Sequence, residues 1–453
     1  MRCLLLTTVS LAYAFTRPSL PIRPTSVRSN LFAASPEEDL EMTIKIIMGS
    51  LEKQNTNDII ETPTAAPVVA KTYKQPAIEE RPRNDLMMRA AMGETTEKTP
   101  LWLFRQAGRH LPEYREYKDQ TGKNFLELLS DPLCVAECTL QPIRRYPVDA
   151  AILFSDILVI AEALGIEVTM PGGVGIQVPH PLKDAKEVDT RLPGLSEISP
   201  AFIEDKLGHV VEAVREIRRQ MKKEDISIPL IGFSAAPWTL LFYMVGGSSK
   251  KNTESGVQWL EQNTEASQKL LQLLTKVVIE YMSAQVEAGC HMLQIFEAMG
   301  MMIDDANFEK FALPCLEEMG RTLKKRFPDT PLMVFCRGKC SANDKVAALG
   351  YFDVITIDGS VDRKSVRSFV GDKVTLQGNY DPRELIPNAE NTKTPETVRE
   401  TAREMLEALG PNRLIANLGE GLGGNESPEL VQAFVDAIHE ESALMMEKKK
   451  YFF

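Results

Sequence analysis

Short apolar runs alternate with longer helical stretches along the chain from residue 86 onward. Each run stops at a glycine-rich or charged segment, and a stretch with apolar positions three and four apart follows it. Continuous apolar runs of this kind are typical of strands that are buried on both faces of a parallel sheet. The predicted strands are Leu101–Phe104, Ala150–Phe154, Pro229–Phe233, Met292–Phe296, Leu332–Phe335, Val354–Ile357, Val374–Gln377 and Leu414–Ala416.

The stretches between these runs have the period of amphipathic helices. Ser427 followed by Pro428 marks one helix start, because serine caps a helix N-terminus and proline is tolerated at its first position. The predicted helices are Ala201–Lys222, Thr264–Ala288, Phe308–Arg326, Thr394–Leu409 and Pro428–Glu447.

Eight strands that alternate with helices predict an α/β fold, either a closed barrel or a large doubly wound sheet. No GxGxxG follows the first strand and no Walker sequence occurs, so the count of eight favours a single (β/α)8 barrel of the TIM type. Residues 166–178 contain two β-rich runs around Pro-Gly-Gly, which predict a hairpin inserted after the second strand. In such a barrel, the polar residues that end the strands gather on one face, where functional sites lie.

The N-terminal part of the chain has a different composition. Residues 1–34 have an arginine at position 2 and then an apolar run that ends in small residues; further arginine, serine and threonine residues follow, without an acid. This order is typical of a signal peptide followed by a transit peptide, so we expect a disordered bipartite leader that resembles those of algae with secondary plastids. Residues 35–85 predict a linker with one short helix, and residues 86–453 predict the barrel.

The composition is that of an ordinary globular protein, with 43% hydrophobic and 25% charged residues among 453. A net charge of −11 argues against nucleic acid or an anionic membrane as a partner. It also means that a local cluster of arginines indicates a pocket for a small anion.

The seven cysteines are odd in number and sparse, which favours a reducing compartment over a disulfide framework. Cys134 and Cys138 are four positions apart, as are Cys336 and Cys340, but no histidine completes a familiar zinc pattern. We therefore predict neither a metal nor a cofactor.

Two arginines follow the first predicted strand. Arg105 and Arg109 flank Gln106-Ala107-Gly108, and guanidinium groups bind carboxylates through two parallel hydrogen bonds. A structural salt bridge is the simpler interpretation of one arginine, but two at a strand end in an acidic protein indicate anion binding.

Asp156 and Tyr243 are the other candidates. Asp156 follows the second strand in an apolar setting, where a carboxylate must be paired, coordinated or functional, with a helix N-cap as the structural alternative. Tyr243 lies ten residues after the third strand, and on residue type alone core packing is the better interpretation.

Two longer segments decide between these alternatives. PLWLFRQAGRHLPEYREYK at residues 100–118 and GFSAAPWTLLFYM at residues 232–244 resemble the two signatures of the uroporphyrinogen decarboxylase family. FSDIL, FALPCLEEM, TLQGNYDP and NLGEGL extend the resemblance, in the family's order, over residues 81–447. It implies a β/α barrel without cofactor or metal, usually homodimeric, that converts the four acetate arms of uroporphyrinogen to the methyl groups of coproporphyrinogen.

The resemblance also implies roles for individual residues. Arg105, Gln106 and Arg109 would hold substrate carboxylates, Asp156 would accept hydrogen bonds from the central pyrrole N–H groups, and Tyr243 would lie beside the reacting acetate arm. The predicted catalytic residues are accordingly Asp156, Tyr243 and Arg105. The chemistry agrees with this assignment, because a protonated pyrrole is a cationic electron sink that an adjacent carboxylate stabilises.

The most important departure from the family concerns Glu420, which replaces a substrate-binding histidine in Asn-Leu-Gly-His-Gly. An anion there would repel a substrate with many carboxylates, unless burial keeps Glu420 protonated or a partner such as Arg413 or Lys339 neutralises it. A side chain that points away from the ligand is the third alternative.

Two further positions depart from the family's pattern. Ala298 stands where a serine hydroxyl usually binds substrate, and Gly359 stands where the family usually has tryptophan. Arg337 retains a basic residue where the family often has lysine. Two alternatives to an active decarboxylase follow. One is a weakly active or inactive homologue that carries tetrapyrroles. The other is a related zinc-dependent methyltransferase, which needs a His-x-Cys pair that this chain lacks.

Overall fold

The computed structural model describes residues 81–171, 175–247, 254–389 and 392–450. Its centre is a sheet of seven parallel strands whose spatial order is their order in the chain. Each strand pairs with the next one along the sequence, as a succession of β/α units requires. The strands are β1 (Ala151–Ile152), β2 (Leu230–Ala235), β3 (Met292–Glu297), β4 (Leu332–Cys336), β5 (Val354–Thr356), β6 (Thr375–Gln377) and β7 (Leu414–Ile415).

The segment at Leu101 closes the ring between β7 and β1. Leu101 forms a parallel bridge with Ala416, and its carbonyl accepts a hydrogen bond of 2.8 Å from the backbone N–H of Asp149. The barrel prediction is confirmed, with seven strands at the expected places. The expected first strand, Leu101–Phe104, is reduced to this single bridge: the backbone N–H of Phe104 donates to the side-chain Oδ1 of Asn417 at 3.0 Å, and the chain turns at Arg105, whose φ is 60°.

Helices form most of the connections and pack around the sheet. The helix predicted at Thr264–Ala288 has the expected bounds, whereas the one predicted at Phe308–Arg326 starts with a π-helical turn over its first five residues. The α-helices are α1 (Leu86–Ala91), α2 (Pro112–Thr121), α3 (Phe125–Leu129), α4 (Pro132–Arg145), α5 (Val159–Ala163), α6 (Glu187–Arg191), α7 (Pro200–Lys223), α8 (Pro237–Gly246), α9 (Ser255–Gln262), α10 (Thr264–Ala288), α11 (Asp305–Asn307), α12 (Leu313–Arg326), α13 (Asn343–Ala348), α14 (Arg363–Val370), α15 (Pro395–Leu409) and α16 (Pro428–Lys450). Short 3₁₀ turns are Leu195–Glu197, Gly300–Met302, Cys340–Ala342 and Pro382–Leu385.

Two other predictions concern the segments outside these elements. Thr169 and Gln177 exchange two backbone hydrogen bonds of 2.8 Å in an antiparallel bridge, in agreement with the predicted hairpin, whose residues 172–174 lie outside the described residues. The predicted leader at residues 1–34 and the linker up to residue 80 also lie outside them.

Side chains fill the interior of the barrel. Aromatic rings among them form the floor of its mouth, which is the face where the strands end. The rings of Phe104 and Phe335 stack at a centroid distance of 5.3 Å, and Phe296 meets Phe104 edge-on at 5.7 Å. These rings lie near the carboxyl ends of their strands, so a dry aromatic layer underlies the face where the strands end.

A polar layer lies deeper in the barrel, and its hydrogen bonds are satisfied. Gln377 accepts a hydrogen bond from the Trp102 indole N–H at 2.8 Å and donates to Gln294 at 3.0 Å and Thr356 at 2.8 Å. A buried network whose members are paired specifies one arrangement of the strands.

Glu297, at the end of β3, is a buried acid on the outer side of the barrel. The Thr239 hydroxyl donates a hydrogen bond to its Oε1, whereas Oε2 has no hydrogen-bond partner within the part of the chain that is described. Burial raises the pKa of Glu297 to about 8, against the opposing effect of the Thr239 hydrogen bond. The carboxyl group is therefore protonated in the folded protein at neutral pH.

This protonation makes the stability of the fold depend on pH. The folded pKa of Glu297 lies above the unfolded value, so its contribution is complete below about pH 4.5 and is lost as the pH rises towards 8. We expect the Glu297→Gln variant to lack this loss. Denaturant unfolding at pH 5 and pH 8 should show that the parent loses about 3 kcal/mol more than the variant. Equal losses in the two proteins would contradict the raised pKa.

Candidate active site

Asp156 lies just beyond β1, at the end of the barrel where the strands finish. Its Oδ1 accepts a hydrogen bond of 2.7 Å from the backbone N–H of Leu158, which holds the carboxylate at the start of the turn before α5. Burial raises the pKa of Asp156 to about 6, while this hydrogen bond and the charge of Arg105 act in the opposite direction. The site thus contains an acid that is ionised at neutral pH and that takes up a proton in weakly acidic solution.

A buried tyrosine of the long helix α10 is hydrogen-bonded to the residue before Asp156. The Tyr281 side chain is hydrogen-bonded to that of Ser155, the residue before Asp156, and is 1% exposed. Sequence reasoning missed Tyr281, because its apolar neighbours on the helix mark it only as a core residue.

Arg105 is placed between the ends of β1 and β7, because the Leu101 segment pairs with both sides. It has a left-handed backbone, φ 60°, which is uncommon for a residue other than glycine and is concentrated at functional sites. Its side-chain stem packs on Gly421, where a Cβ atom would lie 2.7 Å from the Cδ of Arg105. In the described residues its guanidinium has no hydrogen-bond or ion-pair partner, so this cation is available to an anionic ligand.

Arg109 lies on the same side of the mouth. Its Nη2 donates a hydrogen bond of 2.9 Å to the carbonyl of Gly423, and the side chain is otherwise exposed. Both predicted arginines therefore meet the loop that follows β7, more than 300 positions later in the sequence.

Gln106 is turned into the fold, which differs from its predicted role. Its side chain is fully buried: Oε1 accepts from the backbone N–H of Leu103 at 3.2 Å, and Nε2 donates to the carbonyl of Ala150 at 3.2 Å. The amide thus joins two segments of the barrel through both of its ends.

Tyr243 lies on α8, which is tied to the loop after β3. Trp238 on the same helix donates its indole N–H to the carbonyl of Met299 at 3.0 Å. This contact places α8 beside Ala298, a partly buried residue without a hydroxyl. Tyr243 itself is 7% exposed and meets Phe242 edge-on at a centroid distance of 6.0 Å.

Glu420, after β7, is paired with a residue that sequence reasoning did not choose. Arg337, directly after β4, approaches it with Nη2 at 2.9 Å from Oε2. The partners suggested from the sequence are placed elsewhere, which corrects that prediction. Arg413 packs against Gly93, and Lys339 donates to the carbonyl of Ile303 at 2.5 Å and pairs with Asp305 at 2.7 Å.

The site's surroundings add three observations. Gly359 opens onto a surface cavity of about 680 Å³. Within residues 81–171, 175–247, 254–389 and 392–450, no group of three or more His, Cys, Asp or Glu side chains is placed to hold a metal ion. Among the described helices, none combines the length and the apolar character that a membrane span needs.

The chain is similar in sequence to known proteins of one family. The profile of the family described as Uroporphyrinogen decarboxylase (URO-D) matches residues 82–441. A uroporphyrinogen decarboxylase of Salinibacter ruber is 41% identical over 362 residues, 80% of this chain and 97% of that protein. The Homo sapiens uroporphyrinogen decarboxylase is 40% identical over 370 residues, 81% of this chain and 96% of that protein.

A solved structure supports the fold. A methyltransferase from Methanosarcina mazei superposes with a TM-score of 0.64 over 79% of this chain and 98% of its own, at 20% identity. At that identity the likeness shows the barrel architecture alone. The family profile and the relatives with about 40% identity carry the assignment: the chain belongs to the uroporphyrinogen decarboxylase family.

Proposed function

We propose that this protein is a uroporphyrinogen decarboxylase, a carboxy-lyase that removes the four acetate carboxyl groups of uroporphyrinogen III to give coproporphyrinogen III. The observation that carries the proposal is the meeting of Asp156 and Arg105 at one mouth, where a desolvated carboxylate lies within the electrostatic field of a guanidinium that no described residue pairs with. A ligand with anionic arms and a ring that becomes cationic during reaction fits both charges.

The reaction needs a place for the electrons that the departing carboxyl group leaves behind. Protonation of the pyrrole ring at the α-carbon next to the carbon that bears the acetate arm makes the ring cationic, and the arm-bearing carbon shares the positive charge. The bond to the carboxylate then breaks, carbon dioxide leaves, and the electron pair moves into the ring. A proton added to the methylene carbon gives the methyl group, and loss of the first proton from the ring restores the pyrrole.

Asp156 stabilises the cationic ring through the pyrrole N–H groups in this proposal. The carboxylate is held beforehand by the Leu158 N–H, so it needs no rearrangement when the charge develops. The aromatic floor formed by Phe104, Phe296 and Phe335 keeps water away from the underside of the site and strengthens the interaction.

The remaining residues position the substrate. Arg105 and Arg109 bind carboxylate arms, and Tyr243 lies beside the reacting acetate arm. Ala298 contributes an apolar contact where the family usually has a hydroxyl. Gln106 supports the turn between them through its two buried hydrogen bonds.

We also infer a homodimer in the plastid. The resemblance to a family that is usually homodimeric supports the first inference, and the signal-like and transit-like composition of residues 1–34 supports the second. Sedimentation of the purified chain tests the first, and localisation of residues 1–85 fused to a fluorescent protein tests the second.

The central experiment is a decarboxylation assay. The purified chain is incubated with uroporphyrinogen III under reducing conditions, and the products are separated by their number of carboxyl groups. We expect products with seven, six, five and then four carboxyl groups. Tight binding without product would identify a carrier and contradict the proposal.

One prediction concerns the pH dependence of the reaction. The value of kcat/KM reports groups of the free enzyme, and the pKa of Asp156 in the free protein is about 6. Asp156 must be ionised to act, so kcat/KM should fall about tenfold per pH unit below pH 6. The Asp156→Asn variant should lose about 100-fold or more at pH 7 and lose this acid limb. Asp372→Asn, at the opposite end of the barrel, is the control and should retain the parent profile.

Another prediction concerns the support of Arg105 by Gly421. A methyl group at position 421 overlaps the Arg105 stem, so Gly421→Ala should displace the guanidinium and raise KM about tenfold with little change in kcat. Gly208→Ala is the matched control, because a Cβ at Gly208 on α7 meets only open space. An unchanged KM in Gly421→Ala would exclude Arg105 as a substrate contact.

A further inference from the structure

The ion pair between Arg337 and Glu420 links two loops that are not neighbours in the sheet. Arg337 follows β4 and Glu420 follows β7, and β5 and β6 lie between these strands. The pair therefore reaches past the ends of two strands on the face that carries Asp156 and Arg105. Glu420 departs from the family's pattern, and the structure pairs it with Arg337, which retains a basic residue where the family often has lysine.

The neighbours of Glu420 are mainly cationic. Gly421, the next residue, supports the stem of Arg105. The charge of Glu420 also reaches Arg383, although Asp381 is the main cause of the raised pKa of that arginine. The acid therefore lies within the group of cations that faces a carboxylate-bearing substrate, and it partly neutralises them.

The pair is exposed enough to exchange partners. The side chains of Arg337 and Glu420 are 39% and 46% exposed, and one hydrogen bond of 2.9 Å joins them. Exposed ion pairs contribute little to stability, so an incoming carboxylate can replace the internal one at small cost. A guanidinium can bind such a carboxylate with two parallel hydrogen bonds.

We propose that Arg337 is a further substrate-binding residue, and that Glu420 is its internal counterion, which a substrate carboxylate displaces. The inference rests on the proposed function and adds to it a binding residue and an exchange of partners. In the free protein Glu420 forms an ion pair with Arg337. On binding, the substrate carboxylate takes its place, and after product release Glu420 returns. Glu420 therefore competes with the substrate carboxylate for Arg337, and this competition lowers the affinity for the substrate.

Two substitutions with opposite expected effects test this exchange. The probe is uroporphyrin, the oxidised and unreactive ring with eight carboxylates, and its Kd is measured by fluorescence. Glu420→Gln frees Arg337 and should tighten binding about fivefold. Arg337→Gln removes the contact and leaves Glu420 unopposed, and it should weaken binding about tenfold or more. Arg337→Lys keeps the charge without the planar fork and should lie between the parent and Arg337→Gln.

A partly exposed ion pair elsewhere provides the control. Arg144 on α4 pairs with Glu224 at the end of α7 at 2.7 Å, and these side chains are 38% and 29% exposed. This pair lies at the opposite end of the barrel from the mouth, since helices run back from the strand ends. Arg144→Gln and Glu224→Gln should leave the Kd of uroporphyrin unchanged, and the thermal midpoints of all variants check that they are folded.

The outcome separates this inference from the proposed function. If the pair only joins two loops, both substitutions at the mouth change the Kd in the same direction or leave it alone, and either result overturns the exchange. The parent's decarboxylation assay is read independently. Product formation together with such a result rejects the inference alone, whereas absence of product rejects the proposed function.

Discussion

Closure of a parallel sheet brings every strand end to one face, and the charge arrangement of this protein depends on that constraint. The decisive contact is small. A single bridge at Leu101, with β7 on one side and the start of β1 on the other, closes the ring. The chain then turns at Arg105, which is left between Asp156 and Gly421. The cation and the anion of the site are thus held by the same closure.

The layer beneath the charges determines how strongly they act. Three phenylalanine rings fill the barrel below the mouth, and the polar network around Gln377 lies deeper. Burial is also the largest influence on the pKa of Asp156, and it outweighs the Leu158 hydrogen bond and the charge of Arg105. Desolvation makes the ionised form of Asp156 less stable in the free protein. It also strengthens the attraction between this carboxylate and the positive charge that develops on the substrate ring during the reaction.

The departures from the family form a pattern in space. An acid in the place of a neutral or cationic histidine would leave an uncompensated anion at a mouth built for carboxylates. Arg337, at the end of a strand that two others separate from β7, provides the compensation at 2.9 Å. The substitution of Ala298 for serine needs no such partner, because loss of a hydroxyl leaves no charge behind. This difference explains why the change at Glu420 involves a second residue.

The sequence by itself determined the barrel, seven of its strands and the residues at the strand ends, because buried parallel strands are recognisable as short apolar runs that stop at polar residues. It also identified three candidates: Asp156, because a carboxylate in an apolar segment must be paired, coordinated or functional, and Arg105 and Arg109, because two arginines at a strand end of an acidic protein indicate anion binding. Only the tertiary structure decided that Gln106 faces inward and that Glu420 binds Arg337. A pattern along the chain gives the spacing and the face of a residue, whereas the direction of a side chain in a loop depends on neighbours that are distant in sequence.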